Sequence, residues 1–287
     1  MNTETGAPKL AGMNYQVEAI VHSTGPSTVM LVSDPKSLSK RYVVKVIKRD
    51  DPKADGLLAR AQAAVEASAR LNHPGALRYH DYRPVKHFFK LVRGELLMEY
   101  VEGKPLDQLP GLAVGPAILI TRQIAHALAH MHRRKVLHGD LQPGHVLLSR
   151  TGQVKLLNYG LPGVAPDLRP APARAYAAPE VVRENRFLEA SDVYSLGAIL
   201  YQILTGKPFA SPKTKSGEDE ALKMPNPAAL NPKIPPTLGN LVVSCLHRHA
   251  PRRPPSPYDV LQQLEPLVEQ LQLDDEQLAG LAAADPR

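Results

Sequence analysis

The order of apolar and polar positions divides the chain into a β-rich first part and an α-rich remainder. In residues 14–48, "YQVEAIV" and "TVMLVS" alternate or run apolar, and "RYVVKVIK" alternates around Lys45; all three read as strands. "ADGLLARAQAAVEASARL" (54–71) is rich in Ala, Leu and Arg and predicts a helix. "NHPG" stops it, because Pro cannot continue a helix and restricts the residue before it. "LRYHDYRPVKHFFKLVRGELLMEYV" returns to strand character. After "EGKP" the period changes: "GPAILITRQIAHALAHMH", "SDVYSLGAILYQILTG", "TLGNLVVSCLHR" and "PYDVLQQLEPLVEQLQL" are helical. The change falls near residues 101–106. Residues 209–235 are Pro-rich without period and read as an exposed loop. Residues 1–13 read as a flexible tail, and roughly the last ten residues as frayed.

Composition narrows the function classes. The chain has 287 residues, of which 43% are apolar and 22% charged, enough for a large core. No run of about 18 apolar residues is present, so no membrane-crossing segment is expected. The first residues lack the apolar core of a signal peptide. One cysteine, Cys245, excludes an internal disulfide framework, fits a reducing, cytoplasmic setting and reads as a small buried side chain. The net charge is +7 and the pI about 9.4, but basic residues cluster only briefly, in "HRRK" (132–135) and "HRHAPRR" (247–253). No zinc-finger spacing or aromatic-interleaved basic strand accompanies them, so nucleic acid is not the expected partner.

"YVVKVIK", "ARLNHP", "LLMEYVEG", "HGDLQPGHVLL", "YAAPE" and "SDVYSLGAILYQILTGKPF" follow one another in that order. Together they resemble a eukaryotic-type protein kinase, in particular the bacterial serine/threonine branch, over about residues 14–265. "HGDL" alone is also similar to aminoglycoside or choline phosphotransferases; "YAAPE" and "SDVYSLG" favour the protein kinases. The resemblance implies an α+β, bilobal fold: a tail (1–13), a β-rich N-lobe with one main helix (14–101), an α-helical C-lobe (102–268) and a C-terminal extension (269–287). It also implies Lys45 as the phosphate-holding strand Lys and Asp140 as the ancestral base. Asp192 would tie the catalytic loop's backbone together, and Glu180 would pair with an Arg, either Arg253 or Arg252, since "APRRP" is one residue short of the usual spacing. His138 would be a structural residue contacting Tyr159.

Against that pattern, much of the chemistry is altered. Aligned on Val29, the glycine-rich loop has His22, Thr24 and Ser27 where glycines belong; Gly25 is out of register and Pro26 removes a backbone donor. The helix position that should offer Lys45 a carboxylate is Ala64. Glu66 lies about 200° further around the helix, and the same-face neighbours are Arg60, Ala61 and Ser68, the last in a place usually apolar. The two magnesium-ligand positions hold His145 and Asn158, neither a carboxylate, and the loop Lys position holds Gln142. The Arg that would receive a phosphorylated activation loop is Gly139. The segment 158–180 contains no Ser or Thr, and the substrate-docking Thr position holds Ala173.

The implied adenine pocket is better kept: Val29 and Leu147 on its faces, Met98 as gatekeeper, Glu99 to Val101 as hinge, and Val43 narrowing it where Ala is usual. The resemblance therefore implies a pseudokinase, a binding or allosteric module that takes ATP weakly, without magnesium, or not at all. The alternative is an active atypical serine/threonine kinase built on Lys45 and Asp140. A third reading is a nucleic-acid or anionic-surface binder on the same fold. His126, His130 and His132 include an i,i+4 pair, but without an evident third ligand they read as surface or half-buried side chains rather than a metal site. Protein partners and oligomeric state are not legible.

Overall fold

The computed structural model describes residues 15–50, 54–109, 111–160, 175–207 and 225–282, so the N-terminal tail, Ala173 and much of the Pro-rich connection lie outside the described residues. The chain forms two compact units: residues 1–70 with 77–101, and residues 71–76 with 102–287.

The first unit is a five-stranded antiparallel sheet in the order β1-β2-β3-β5-β4, with β1 Gln16–Thr24, β2 Ser27–Asp34, β3 Ser37–Lys48, β4 Tyr79–His87 and β5 Lys90–Glu99. Alternation decides which side chains are buried where. Met30, Val32, Val44, Val46 and Leu97 form a cluster on one face, joined by Tyr15, Val17 and Tyr42. Directly paired residues share a face. Val29 opposite Lys45, Lys45 opposite Leu96 and Val43 opposite Met98 therefore lie together on the other face. Helix α1 (Ala54–Ala69) covers that second face, where a Cβ added to Gly94 of β5 would come within 2.5 Å of Leu58 Cδ2.

Three hairpins of this sheet turn in two residues, one of them through Pro35 and Lys36 between β2 and β3. Gly25 and Pro26 join β1 to β2, with Gly25 at φ +48° and the Pro26 carbonyl accepting from Lys48 N at 2.7 Å. Phe88 and Phe89 join β4 to β5, both left-handed at φ 45° and 66°.

The second unit is mainly helical, around a small antiparallel sheet of β6 (Gly103–Pro105), β7 (Val146–Ser149) and β8 (Val154–Leu156). Its helices are α2 (Val114–Arg133), α3 (Pro179–Glu184), α4 (Glu189–Thr205), α5 (Pro227–Leu230), α6 (Pro236–Cys245) and α7 (Pro257–Gln270). Helix α2 packs against α4 and α7, and α4 against α6. The stretch 71–76, expected with the β-rich part, belongs to this unit. Gly75 O accepts from Leu156 N at 2.8 Å, His130 Nε2 from Asn72 N at 3.3 Å, and a Cβ on Gly75 would lie 2.9 Å from Ala127 Cβ.

Two sequence expectations change here. The described end of the Pro-rich connection contains α5, begun by the Asn226 side chain accepting Ala228 N at 2.9 Å, a polar cap that outweighs the missing period. The C-terminal residues are not frayed as far as 282. Leu278 is fully buried, Arg122 Nη2 donates to Asp275 Oδ2 at 2.7 Å, and Gly280 N donates to Arg150 O at 3.1 Å. Cys245 is buried and its thiol is pushed up to about 12 by burial, as befits a packing residue.

The choice between Arg252 and Arg253 is decided by geometry. Arg253 is 3% exposed and grips Glu180 with Nη1 to Oε1 at 2.7 Å and Nη2 to Oε2 at 2.8 Å. Its remaining donors reach the carbonyls of His247 and Ala190 at 2.7 and 2.8 Å, and its guanidinium lies 4.9 Å from the Tyr194 ring centroid. Burial alone would raise the Glu180 carboxyl, yet hydrogen bonds from Arg253 and Ser191 hold it below the usual carboxylate range. Arg252 is exposed. In chemical denaturation, Arg253→Ala should lose about 3–5 kcal/mol by stranding a half-buried carboxylate, while Arg252→Ala should stay within about 0.5 kcal/mol of the parent.

Candidate functional site

On the first unit, register gathers the predicted pocket residues. Val29, Val43, Lys45 and Met98 share the face that α1 covers. Glu99 follows at the end of β5, its Oε1 accepting from Arg78 N at 2.8 Å and its own N donating to Arg78 O at 2.9 Å. Val101 lies just beyond, half-buried.

The helix gives Lys45 no carboxylate. Ala64 is buried at the position where one was sought, and Glu66 is exposed and bonded by Gln62 Nε2 at 3.1 Å on the outer face. The charge the helix does bring is Arg60. Burial first, then this guanidinium, lowers the Lys45 pKa. Ser68, in the place usually apolar, accepts from Tyr79 N at 3.0 Å, so its buried hydroxyl is satisfied and ties α1 to β4.

The segment aligned with the glycine-rich loop is a two-residue hairpin. His22 pairs with Val29 and Thr24 with Ser27, and Ser23 Oγ lies 3.2 Å from Thr28 Oγ1. The short turn follows from Gly25 and Pro26 standing adjacent.

On the second unit, the loop from His138 to Leu148 is held by one carboxylate. Asp192 in the first turn of α4 accepts from His138 N at 2.8 Å, Gly139 N at 2.9 Å and His132 Nε2 at 2.8 Å. Burial would raise its pKa, but the bonds from His132 and the loop backbone hold it lowered. Gly139 has φ +74°, a conformation that suits glycine, so the position that lacks the family's Arg also has backbone freedom to match. Leu141, Val146 and Leu148 are buried beneath the loop, and Leu147 is half-buried.

Asp140 is 8% exposed, and its N–H donates to His138 Nδ1 at 3.3 Å. His138 is fully buried; burial pushes it down to about 4, so its ring is neutral. Tyr159 is fully buried as well, and Gly160 N donates to Leu137 O at 3.0 Å. His145 Nδ1 lies 2.7 Å from the Asp140 carbonyl, to which it donates, and 3.6 Å from Asp140 Oδ2. Gln142 Nε2 lies 3.4 Å from Asp140 Oδ1.

His145 and Asn158 are brought close by the β7–β8 pairing, since Leu157 N donates to His145 O at 2.8 Å. Asn158 itself is left-handed, at φ 56°. As a magnesium site the donor set does not fit. It offers an imidazole engaged through Nδ1, a neutral amide and one carboxylate, whereas magnesium prefers hard oxygen ligands and carboxylates above all. Among the described residues no group of three or more His, Cys, Asp or Glu is placed to hold a metal ion.

The three helical histidines, read alike from sequence, have different fates. His126 is exposed, 3.7 Å from Glu265 Oε1. His130 is 9% exposed and bonded to Asn72. His132, 4% exposed, is a ligand of the key carboxylate and not a surface group. Its spacing of four and eight residues from the buried Leu128 and Ile124 was the signal that it faces the core. Arg60 beside Lys45 was likewise legible as a same-face residue, but its effect on Lys45 was not.

Comparison with known proteins supplies the context. A protein kinase domain family model matches residues 21–264. The serine/threonine-protein kinase PknA of Mycobacterium tuberculosis is 31% identical over 240 residues, covering 79% of this chain and 55% of that protein. PrkC of Bacillus subtilis is 26% identical over 243 residues, 80% of this chain and 36% of that kinase. The kinase pkn3 of Myxococcus xanthus is 29% identical over 278 residues, 89% and 50% respectively. The chain thus spans about half the length, or less, of these relatives.

Two outcomes test the loop. Because the folded His138 titrates near 4 and its unfolded value is 6.5, the unfolded chain binds more protons between those values. The stability owed to the neutral ring is present above pH 6.5 and lost as pH falls towards 4, with a slope of up to about 1.4 kcal/mol per pH unit. Urea titrations across that range should show a shallower slope for His138→Phe. Gly139→Ala should cost about 1 kcal/mol in the same assay, through backbone strain.

Proposed function

Because this chain belongs to the protein kinase family, we propose that it is a pseudokinase: a kinase fold used as a signalling scaffold or allosteric module for a protein partner. The observation that carries the proposal is the charge inventory around Asp140. Phosphoryl transfer is mostly positioning and charge neutralisation, and the positions that should supply charge hold Gln142, His145 and Asn158. The same deficit recurs at Lys45, where the neighbouring helix charge is the like-signed Arg60. The apolar residues at the positions the family uses for adenine are retained in the sequence, Val29, Val43 and Met98 on the first unit and Leu147 on the second, which supports weak, metal-independent adenine nucleotide binding or none.

A second reading, an atypical active serine/threonine kinase, is favoured by one observation: Asp140 keeps a loop fully organised by Asp192. The names of the curated relatives, all serine/threonine-protein kinases, agree with it. No helix among the described residues is long and apolar enough to cross a membrane. We place the module in the cytoplasm on its single buried cysteine.

Thermal denaturation of the full chain with ATP, with and without Mg²⁺ or Mn²⁺, separates the readings. The pseudokinase reading expects no divalent-dependent gain, and a stabilisation by ATP alone below about 1 kcal/mol at millimolar ligand. Transfer of labelled γ-phosphate to the chain itself or to a generic protein substrate, abolished in Asp140→Ala, would overturn it.

A further inference from the structure

The chain contains four phenylalanines, and two of them are placed where folding gains nothing from them. Phe88 and Phe89, at the tip of the β4–β5 hairpin, are 87% and 96% exposed. A two-residue hairpin with both residues left-handed suits Asn-Gly; a bulky side chain there is strained. An isolated exposed apolar residue needs no explanation, but an adjacent aromatic pair in a strained turn does.

The hairpin's own charge near the tip is cationic; an exposed acid outside it, Asp50, follows Arg49 of the neighbouring segment, whose N–H donates to Val92 O at 2.9 Å. From Tyr82 to Gly94 the sequence has no Asp or Glu. Lys86, His87 and Lys90 flank the two rings and are exposed, and among the described residues neither lysine is in an ion pair. Lys48 of β3, also exposed, pairs in register with Arg93 further along the hairpin. The acids at its base are engaged: Asp81 with Arg83 at 2.8 Å and Glu95 with Arg93 at 2.9 Å.

We propose that this hairpin tip is a peripheral docking site for an anionic lipid bilayer: Phe88 and Phe89 insert at the boundary of headgroups and acyl chains, while Lys86 and Lys90 meet lipid phosphates. Aromatic side chains favour that boundary, and lysines near an anionic surface add to the binding. A stable protein interface needs about 800 Å² per partner, more than two side chains at a turn present, whereas a fluid lipid surface requires no matching shape. The net charge of +7 acts in the same direction. The inference uses none of the residues around Asp140 or Lys45 and stands apart from the pseudokinase reading.

The chain has no tryptophan, so Phe89→Trp creates a single reporter at the tip. Its emission is expected to shift to the blue with vesicles of phosphatidylglycerol and phosphatidylcholine in equal parts, but not with phosphatidylcholine alone. The shift should weaken at about 0.5 M salt. The double variant Phe88→Asn/Phe89→Gly should fold with an unchanged or raised thermal midpoint, since it suits the turn. Its co-sedimentation with the anionic vesicles should fall about tenfold or more. The proposal is overturned if the parent chain ignores these vesicles, or if the double variant binds them equally well. It is also overturned if the double variant abolishes a dimer of the parent in sedimentation while vesicles bind neither.

Discussion

A single buried carboxylate organises the chemistry-bearing loop. Asp192 accepts two consecutive backbone N–H groups, from His138 and Gly139, and a ring N–H from His132. A carboxylate removed from water is costly unless its lone pairs are used, and three donors use them. Removing one donor would strand charge in the core, so the loop, the end of α2 and the start of α4 are bound into one arrangement. The loop's own positions, Asp140 included, are placed relative to that arrangement. The Glu180–Arg253 pair does similar work for α3 and the segment before α7: a buried ion pair, bidentate and satisfied on its remaining donors.

These polar clamps explain how a family scaffold persists while the reaction's charges do not. The clamps lie behind the loop, in the core of the second unit. The residues at the positions that bear charge in the family, Gln142, His145 and Asn158, bring no carboxylate and no lysine, and one of them is tied into the scaffold: His145 donates its Nδ1 proton to the Asp140 carbonyl. In the first unit, the segment aligned with the glycine-rich loop is a two-residue hairpin and Ser68 is a satisfied link to β4.

What the sequence made legible followed from periodicity and order. Alternation around Lys45 placed Val43 and Lys45 on one face, and the helical period placed Glu66 on the far side of α1 from the sheet. Motif order pointed to Asp192 and Glu180. What it left open was three-dimensional. Arg252 and Arg253 are adjacent letters, and only the fold shows which one reaches Glu180. Helical spacing turns His132 inward, but only α4 lying against α2 shows that it meets Asp192. Residues 71–76 read as a helix stop within a family motif and as part of the β-rich region, yet the closeness of Gly75 to Ala127 joins them to the helical unit. The extent of the C-terminal packing rests on Leu278 and Ala282, buried in a stretch too short for a helical period to weigh.

The left-handed glycine in the loop has a mechanical consequence. Gly139 adopts φ +74° without strain, so the loop rests in its shape instead of being bent into it by Asp192. A relaxed loop works as a hinge pin and not as a spring: it holds position without storing energy for release. Because α4 carries the carboxylate that holds His138 N and Gly139 N, a displacement of α4 would carry the loop's backbone with it.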